Sequence, residues 1–134
     1  YDGASCEFFS SALSAIQLSM LQTESMHVIA VLEVLPVACA MKIWSVNAWH
    51  RRVFYFIDND SARACLIKMS SGSAVINNVL RRVTIMSAAS PSFAWFSRVP
   101  SSSNIADEPS RMAPLLSGHE DAQFRDCDLD ELLK

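Results

Sequence analysis

The strongest constraint on the fold is the run Val53-Phe54-Tyr55-Phe56-Ile57, which is followed at once by Asp58-Asn59-Asp60-Ser61. The run is β-branched and aromatic, and it is apolar on both of its alternating faces. This pattern is typical of a central strand that is covered by helices on both sides. The sequence therefore predicts an α/β fold with Asp58 at the C-terminal end of a buried strand, where ligands bind in open sheets.

A helix is predicted before this strand, over residues 28–47, because apolar side chains occupy nearly every face of that segment. Pro36 lies inside the segment, lacks a backbone N–H and clashes with the carbonyl four residues earlier. We therefore expect a kink, or a helix that begins close to Pro36.

Two helices and a second strand are predicted after the polar segment Asp58-Asn59-Asp60-Ser61. Asp60 or Ser61 can cap a helix from Ala62 to Met69, and Ser70-Ser71-Gly72-Ser73 reads as a linker. The next helix, about Ala74 to Ala88, carries one apolar stripe, made of Val75, Val79, Val83 and Met86. A strand follows over Phe93–Val99, and a short helix over Asn104–Met112 is limited by Pro109.

The two ends of the chain are less patterned. The apolar residues from Phe8 to Met20 suit one helix or two weak strands, and that alternative stays open. From Gly118 onward the chain is acidic, which indicates a mobile or weakly helical extension. Because the chain begins with Tyr1 rather than methionine, we expect a fragment of a longer protein.

Composition narrows the class of protein. A chain of 134 residues with 51% hydrophobic residues suits one domain with a real core, and the net charge of -3 provides no global basic field. The apolar stretch from Val28 to Trp44 is interrupted by two charges and a proline, so we predict no membrane span and no secretion signal. The scattered cysteines suit free thiols in a reducing intracellular compartment, either cytoplasm or nucleus.

Four carboxylates are candidates for a shared site. Asp58 ends the strand, Glu33 lies on the apolar helix, Asp107 opens the last helix, and Asp2 precedes Gly3. Each one alone is explained by a surface salt bridge or a helix cap. Together they supply the oxygen ligands that Mg²⁺ prefers, and two such ions about 4 Å apart can promote phosphodiester cleavage.

Several segments resemble the ribonuclease H domain of reverse-transcribing retroelements. Phe56-Ile57-Asp58-Asn59-Asp60-Ser61-Ala62 is similar to the "DN-x-S/A" strand end of that family. The residues from Arg98-Val99-Pro100-Ser101 through Asn104-Ile105-Ala106-Asp107-Glu108-Pro109-Ser110-Arg111 resemble its closing "VPS-x-x-N-x-AD-x-x-SR" signature, in the form of the tyrosine-recombinase (DIRS-like) class. Glu33-Val34-Leu35 looks like the start of its first helix, and Asp2-Gly3-Ala4 like the end of its first strand.

This resemblance implies a mixed sheet flanked by helices, and it divides the chain into partial first strands (1–27), a ribonuclease H-like core (28–112) and an acidic extension (113–134). It implies that Asp2, Glu33, Asp58 and Asp107 bind two Mg²⁺ or Mn²⁺ ions, with Asn59 and Asn104 in support. The implied reaction is endonucleolytic hydrolysis of RNA in an RNA–DNA hybrid. A reverse transcriptase domain of the parent polyprotein is the implied partner.

Two other functions stay open. Asp2 has one residue before it, and 31 residues with few turn-formers must supply two strands before Glu33. No histidine lies between Arg98 and Asn104, although many ribonucleases H keep one near their last aspartate. An inactive remnant that binds nucleic acid or a partner is therefore the alternative, and an unrelated α/β interaction domain is the third.

Overall fold

The computed structural model describes residues 6–24, 28–107 and 121–133, which combine helices with short strands. The predicted α/β class is confirmed at this level. The helices are α1 (Ala15–Glu24), α2 (Val28–Ile43), α3 (Ser45–Ala48), α4 (Asp60–Lys68), α5 (Ala74–Ala89), a 3-10 turn (Ser101–Ser103) and α6 (Leu129–Leu133). The strands are β1 (Glu7–Phe8), β2 (Arg52–Ile57), β3 (Phe93–Arg98) and β4 (Gln123–Phe124).

The predicted strands, β2 and β3, pair in parallel, with Phe54 opposite Trp95 and Ile57 opposite Arg98. A parallel pair needs a crossover connection, and α4 and α5 supply it. Because the strands are parallel, their carboxyl ends meet at one edge, so Asp58 and the segment after Arg98 are neighbours. A second parallel pair joins β1 to β4.

The two faces of the β2–β3 sheet differ. On the inner face, Ile57 is buried, and Tyr55 stacks on Phe96 with 5.4 Å between ring centroids. Burial raises the pKa of Tyr55 to about 12. On the outer face, Phe54 and Phe56 are 60% and 63% exposed. The prediction of a strand covered on both sides is therefore wrong for the described residues.

Helix α2 forms the centre of the core and runs without a break through Pro36, which is exposed. The expected start near Pro36 is wrong. A proline inside a helix costs about 3 kcal/mol, and burial of the surrounding apolar side chains offsets that cost. The buried residues of α2 are Ala30, Val31, Val34, Leu35, Val37, Ala38, Cys39 and Met41.

The crossover helices pack on α2, and the apolar stripe predicted for α5 faces the core. On α5, Val75, Val79 and Val83 are buried, and Met86 packs against the core. Helix α4 begins at Asp60, two residues earlier than expected, because its cap is Asn59, whose Oδ1 accepts from the Ala62 N–H at 2.9 Å. The prediction of Asp60 or Ser61 as the cap is wrong.

The acidic tail, predicted to be mobile or weakly helical, contains the short helix α6 and also contributes to the core, which was not predicted. Leu129 and Leu132 of α6 are buried, and Lys42 of α2 pairs with Glu131. Arg125 donates to Glu7 of β1 at 2.5 Å. The tail therefore contacts both α2 and the first strand.

All four cysteines are free thiols, as predicted, and Cys39 and Cys127 are buried. Over the ranges that the structure describes, no helix has both the length and the hydrophobicity needed to cross a bilayer.

Candidate metal centre

Three of the four predicted carboxylates are positioned by separate elements of the fold. Asp58 follows the last residue of β2, Glu33 lies in the first half of α2, and Asp107 follows the 3-10 turn beyond β3. All three residues are half-buried. Asp2, together with the end of the predicted helix beyond Asp107, lies outside the described residues.

The electrostatics of Glu33 show that these three carboxylates are neighbours. The pKa of Glu33 is raised above its ordinary value of 4.5, first by burial and then by the negative charge of Asp58. A hydrogen bond shared with Asp58 and the charge of Asp107 raise the pKa further. Glu33 and Asp58 are 25 positions apart in the sequence, and Asp58 and Asp107 are 49 positions apart, yet the fold brings all three near one another.

Asn104 connects two of the three carboxylates. Its Nδ2 donates to Asp58 Oδ2 at 3.1 Å, and its Oδ1 accepts from the Ala106 N–H at 3.1 Å. The Asp107 N–H in turn donates to the Asn104 carbonyl at 3.1 Å. Asn104 thus holds the Asp107 segment against Asp58, a position that suits the supporting role predicted for it.

Asn59, the other residue for which the resemblance implied a supporting role, is the N-cap of α4. Its side chain caps α4 and is engaged with the Ala62 N–H. The structure therefore gives Asn59 a local structural role, and its contribution to the site is limited to fixing the turn that follows Asp58.

Arg98 is a residue near this site that the sequence reasoning did not single out. Its Nε lies 3.2 Å from Asp60 Oδ2, and Arg63 lies 3.6 Å from the same carboxylate. The Arg98–Asp60 pair joins the end of β3 to the start of α4, beside Asp58, whereas the Arg63–Asp60 pair lies within α4. The position of Arg98 as the last residue of a strand parallel to the Asp58 strand was the available signal.

The donor set can be compared with what a divalent cation requires. Carboxylate oxygens are the ligands that Mg²⁺ and Mn²⁺ prefer, and clustered negative charges need a cation or a proton to offset their repulsion. No three His, Cys, Asp or Glu side chains of the described ranges stand in an arrangement that could hold a metal ion. The carboxylate oxygens are thus of the type that a divalent cation prefers. To bind one, the three carboxylates would have to move closer together around it.

The raised pKa of Glu33 leads to a pH-dependent prediction. In the folded state Glu33 holds its proton more tightly than in the unfolded chain. Its stabilising contribution is therefore complete below pH 4.5 and is lost as the pH rises through the folded pKa. We expect Glu33→Gln to raise the melting temperature at pH 7 by about 2–5 °C, with the gain disappearing below pH 4.5, in thermal denaturation with chelator present.

The control for this prediction is Asp121→Asn, which neutralises an exposed carboxylate of the tail. We expect this variant to melt within about 1 °C of the unmodified chain at every pH. A gain for Glu33→Gln that persists unchanged at pH 4 would contradict the assignment.

Comparison of the chain with protein-family models, with curated proteins and with solved structures found no match.

Proposed function

We propose that this chain is a ribonuclease H-like domain that hydrolyses the RNA strand of RNA–DNA hybrids with divalent metal ions. The observation that carries the proposal is the convergence of Glu33, Asp58 and Asp107 from three distant segments. Half-buried carboxylates repel one another, and such a cluster is rarely retained for stability alone. A binding site for cations accounts for the cluster directly.

The fold is also compatible with this proposal. A parallel strand pair, with helices packed on its inner face, brings the end of the "DN" strand beside the closing signature. The ribonuclease H-like fold itself is part of the proposal, as are the retroelement origin and the reverse transcriptase domain of a parent polyprotein. The substrate partner is the RNA–DNA hybrid.

The proposed residues have distinct roles. Glu33, Asp58 and Asp107 would hold Mg²⁺ or Mn²⁺, and Asp2 would complete the set for two ions. When bound, the ions supply an activated water and stabilise the departing 3′ oxygen. Asn104 keeps Asp58 oriented through its 3.1 Å hydrogen bond. A bound cation would lower the pKa of Glu33, because that pKa is raised by burial and by neighbouring negative charge.

A cleavage assay tests the proposal directly. A hybrid with labelled RNA is incubated with the chain and Mg²⁺ or Mn²⁺, and we expect internal cuts in the RNA strand. The same RNA without its DNA strand and a reaction with chelator should remain intact. Absence of metal-dependent cleavage of the hybrid would overturn the nuclease activity.

An inactive remnant with the same fold is the second candidate. It is favoured by one observation: the described carboxylates do not stand in an arrangement that could hold a metal ion. Such a remnant binds hybrid or a polymerase partner without cutting. Hybrid binding in a gel-shift assay, with no cleavage in either metal, would support this candidate over the first.

A further inference from the structure

The outer face of the β2–β3 sheet carries a patch of exposed aromatic side chains. Phe54 and Phe56 of β2 are 60% and 63% exposed, and Phe93 and Trp95 of β3 are 72% and 65% exposed. Phe54 stands directly opposite Trp95 in the parallel register. Because side chains alternate along a strand, all four lie on one face, and we call this set the aromatic face.

Such a patch is unusual on an isolated chain. Single exposed apolar residues are ordinary, but contiguous patches of several hundred Å² mark interaction surfaces. Each aromatic side chain can bury about 150–250 Å², so the aromatic face offers about 400–650 Å² of uncovered surface. Phe, Tyr and Trp are also the residues enriched at the centres of protein interfaces.

We propose that the aromatic face is the interface of a two-fold dimer, in which a second copy of this chain packs its own aromatic face against the first. Two such faces together bury about 800–1,300 Å², which reaches the roughly 1,000 Å² that a specific interface needs. The face is self-complementary in composition, since aromatic rings pack well in offset or edge-to-face pairs.

The charges at the ends of β2 favour one orientation of the two copies. Arg51 and Arg52 are at the start of the strand, whereas Asp58 and Asp60 follow its end, about 20 Å away. Asp60 is already paired with Arg98 and Arg63, so Asp58 supplies most of the negative charge there. A two-fold axis that runs along the strands would bring the arginines of both copies together. An axis across the strands places the arginines of one copy over the aspartates of the other, which is the favourable arrangement.

The interface also leaves the inner face of the sheet unchanged. Tyr55, Ile57 and Phe96 point to the core in each copy, so the dimer adds a covering layer where the sheet has none among the described elements. This inference does not depend on hybrid cleavage.

Sedimentation equilibrium of the unmodified chain at about 5 and 200 µM is the first test. We expect a mass that rises toward twice that of one chain, with weaker association at high salt because the end charges are screened. A chain that remains monomeric at both concentrations overturns the proposal.

Two substitutions at the centre of the face, Phe54→Lys and Trp95→Lys, form the second test. Each places like charges across the two-fold axis, and we expect association to weaken at least about 10-fold. The matched control is Ile85→Lys on α5, which is 61% exposed and outside the face; it should still dimerise. Dimers that persist in both face variants overturn the proposal, even if the unmodified chain associates.

The alternative ligand of the aromatic face is single-stranded nucleic acid, whose bases stack on exposed aromatic rings. Fluorescence anisotropy with a labelled oligothymidine measures this, using Trp95→Ala as the variant. A monomer that binds the oligonucleotide through Trp95 would assign the face to nucleic acid and overturn the dimer. Oligonucleotide affinity that Trp95→Ala leaves unchanged, in a chain that dimerises, supports it.

Discussion

Replacing Asp58 with asparagine is expected to reduce metal-dependent cleavage of hybrid RNA by about 10²–10³-fold, measured as initial rates at saturating Mg²⁺. Asn keeps the size of the side chain, and its Oδ1 can still accept from Asn104 Nδ2, so the local fold should persist. What is lost is one negative charge next to Glu33 and Asp107. Under the proposed function, a divalent cation would be held mainly by such charges, and cleavage would depend on that cation.

The matched control is Asp60→Asn, the same chemical change two residues along the chain. Asp60 is exposed and forms ion pairs with Arg98 and Arg63, so its loss should alter stability slightly and leave cleavage within about twofold. Thermal denaturation separates binding from catalysis, since metal should raise the melting temperature of the unmodified chain and of Asp60→Asn but not of Asp58→Asn. Equal cleavage by the Asp58 variant and the unmodified chain would remove Asp58 from the site.

The sequence predicted the elements that carry the site, because their signals are local. The Val53–Ile57 run, the stripe on α5 and the strand after Pro91 each combine length, spacing and flanking turn residues. The approach of Asp58 and Asp107 follows from the parallel pairing of β2 and β3, which the structure shows and the sequence did not specify.

The predictions that were wrong concern contacts between distant segments of the chain, which the sequence does not specify. The hydrophobicity of Phe54 and Phe56 predicted that helices cover both faces of β2. Hydrophobicity shows only that a side chain favours burial, and it does not show that another element of the fold covers it. One of the two alternatives predicted from Pro36, a helix that begins close to it, is wrong, because tertiary packing of Val34 and Leu35 overrode that local preference. Pairing of the two-residue strand β1 with β4, 116 residues away, leaves no local pattern to detect.

The tail was predicted to be mobile or weakly helical, and the short helix α6 confirms the second alternative, but the burial of its leucines in the core was not predicted. Its acidic residues dominate the composition, yet Leu129, Leu132 and Leu133 stand at helical spacing and mark one apolar face. Leu129 and Leu132 are buried, whereas the acidic Asp130 and Glu131 between them are exposed. Periodicity was therefore the better guide in this segment, and net charge was the weaker one.

Truncating Leu80 to alanine is expected to lower the free energy of unfolding by about 2–5 kcal/mol, measured by urea denaturation. Leu80 is 2% exposed on the buried face of α5, the helix that packs on α2. Its removal forfeits apolar burial and leaves a cavity that the surrounding helices fill only partly. Since small domains are stable by about 5–15 kcal/mol, the variant should lose a large share of its stability.

Ile85→Ala on the same helix is the matched control, because Ile85 is 61% exposed and the substitution removes a similar side chain from solvent rather than from the core. Its free energy of unfolding should change by less than about 0.5 kcal/mol. The comparison also tests the candidate site, because Glu33 lies on α2 and α5 packs against α2. If Leu80→Ala is as stable as Ile85→Ala, then α5 does not support α2, and the convergence of Glu33 with Asp58 loses its structural basis.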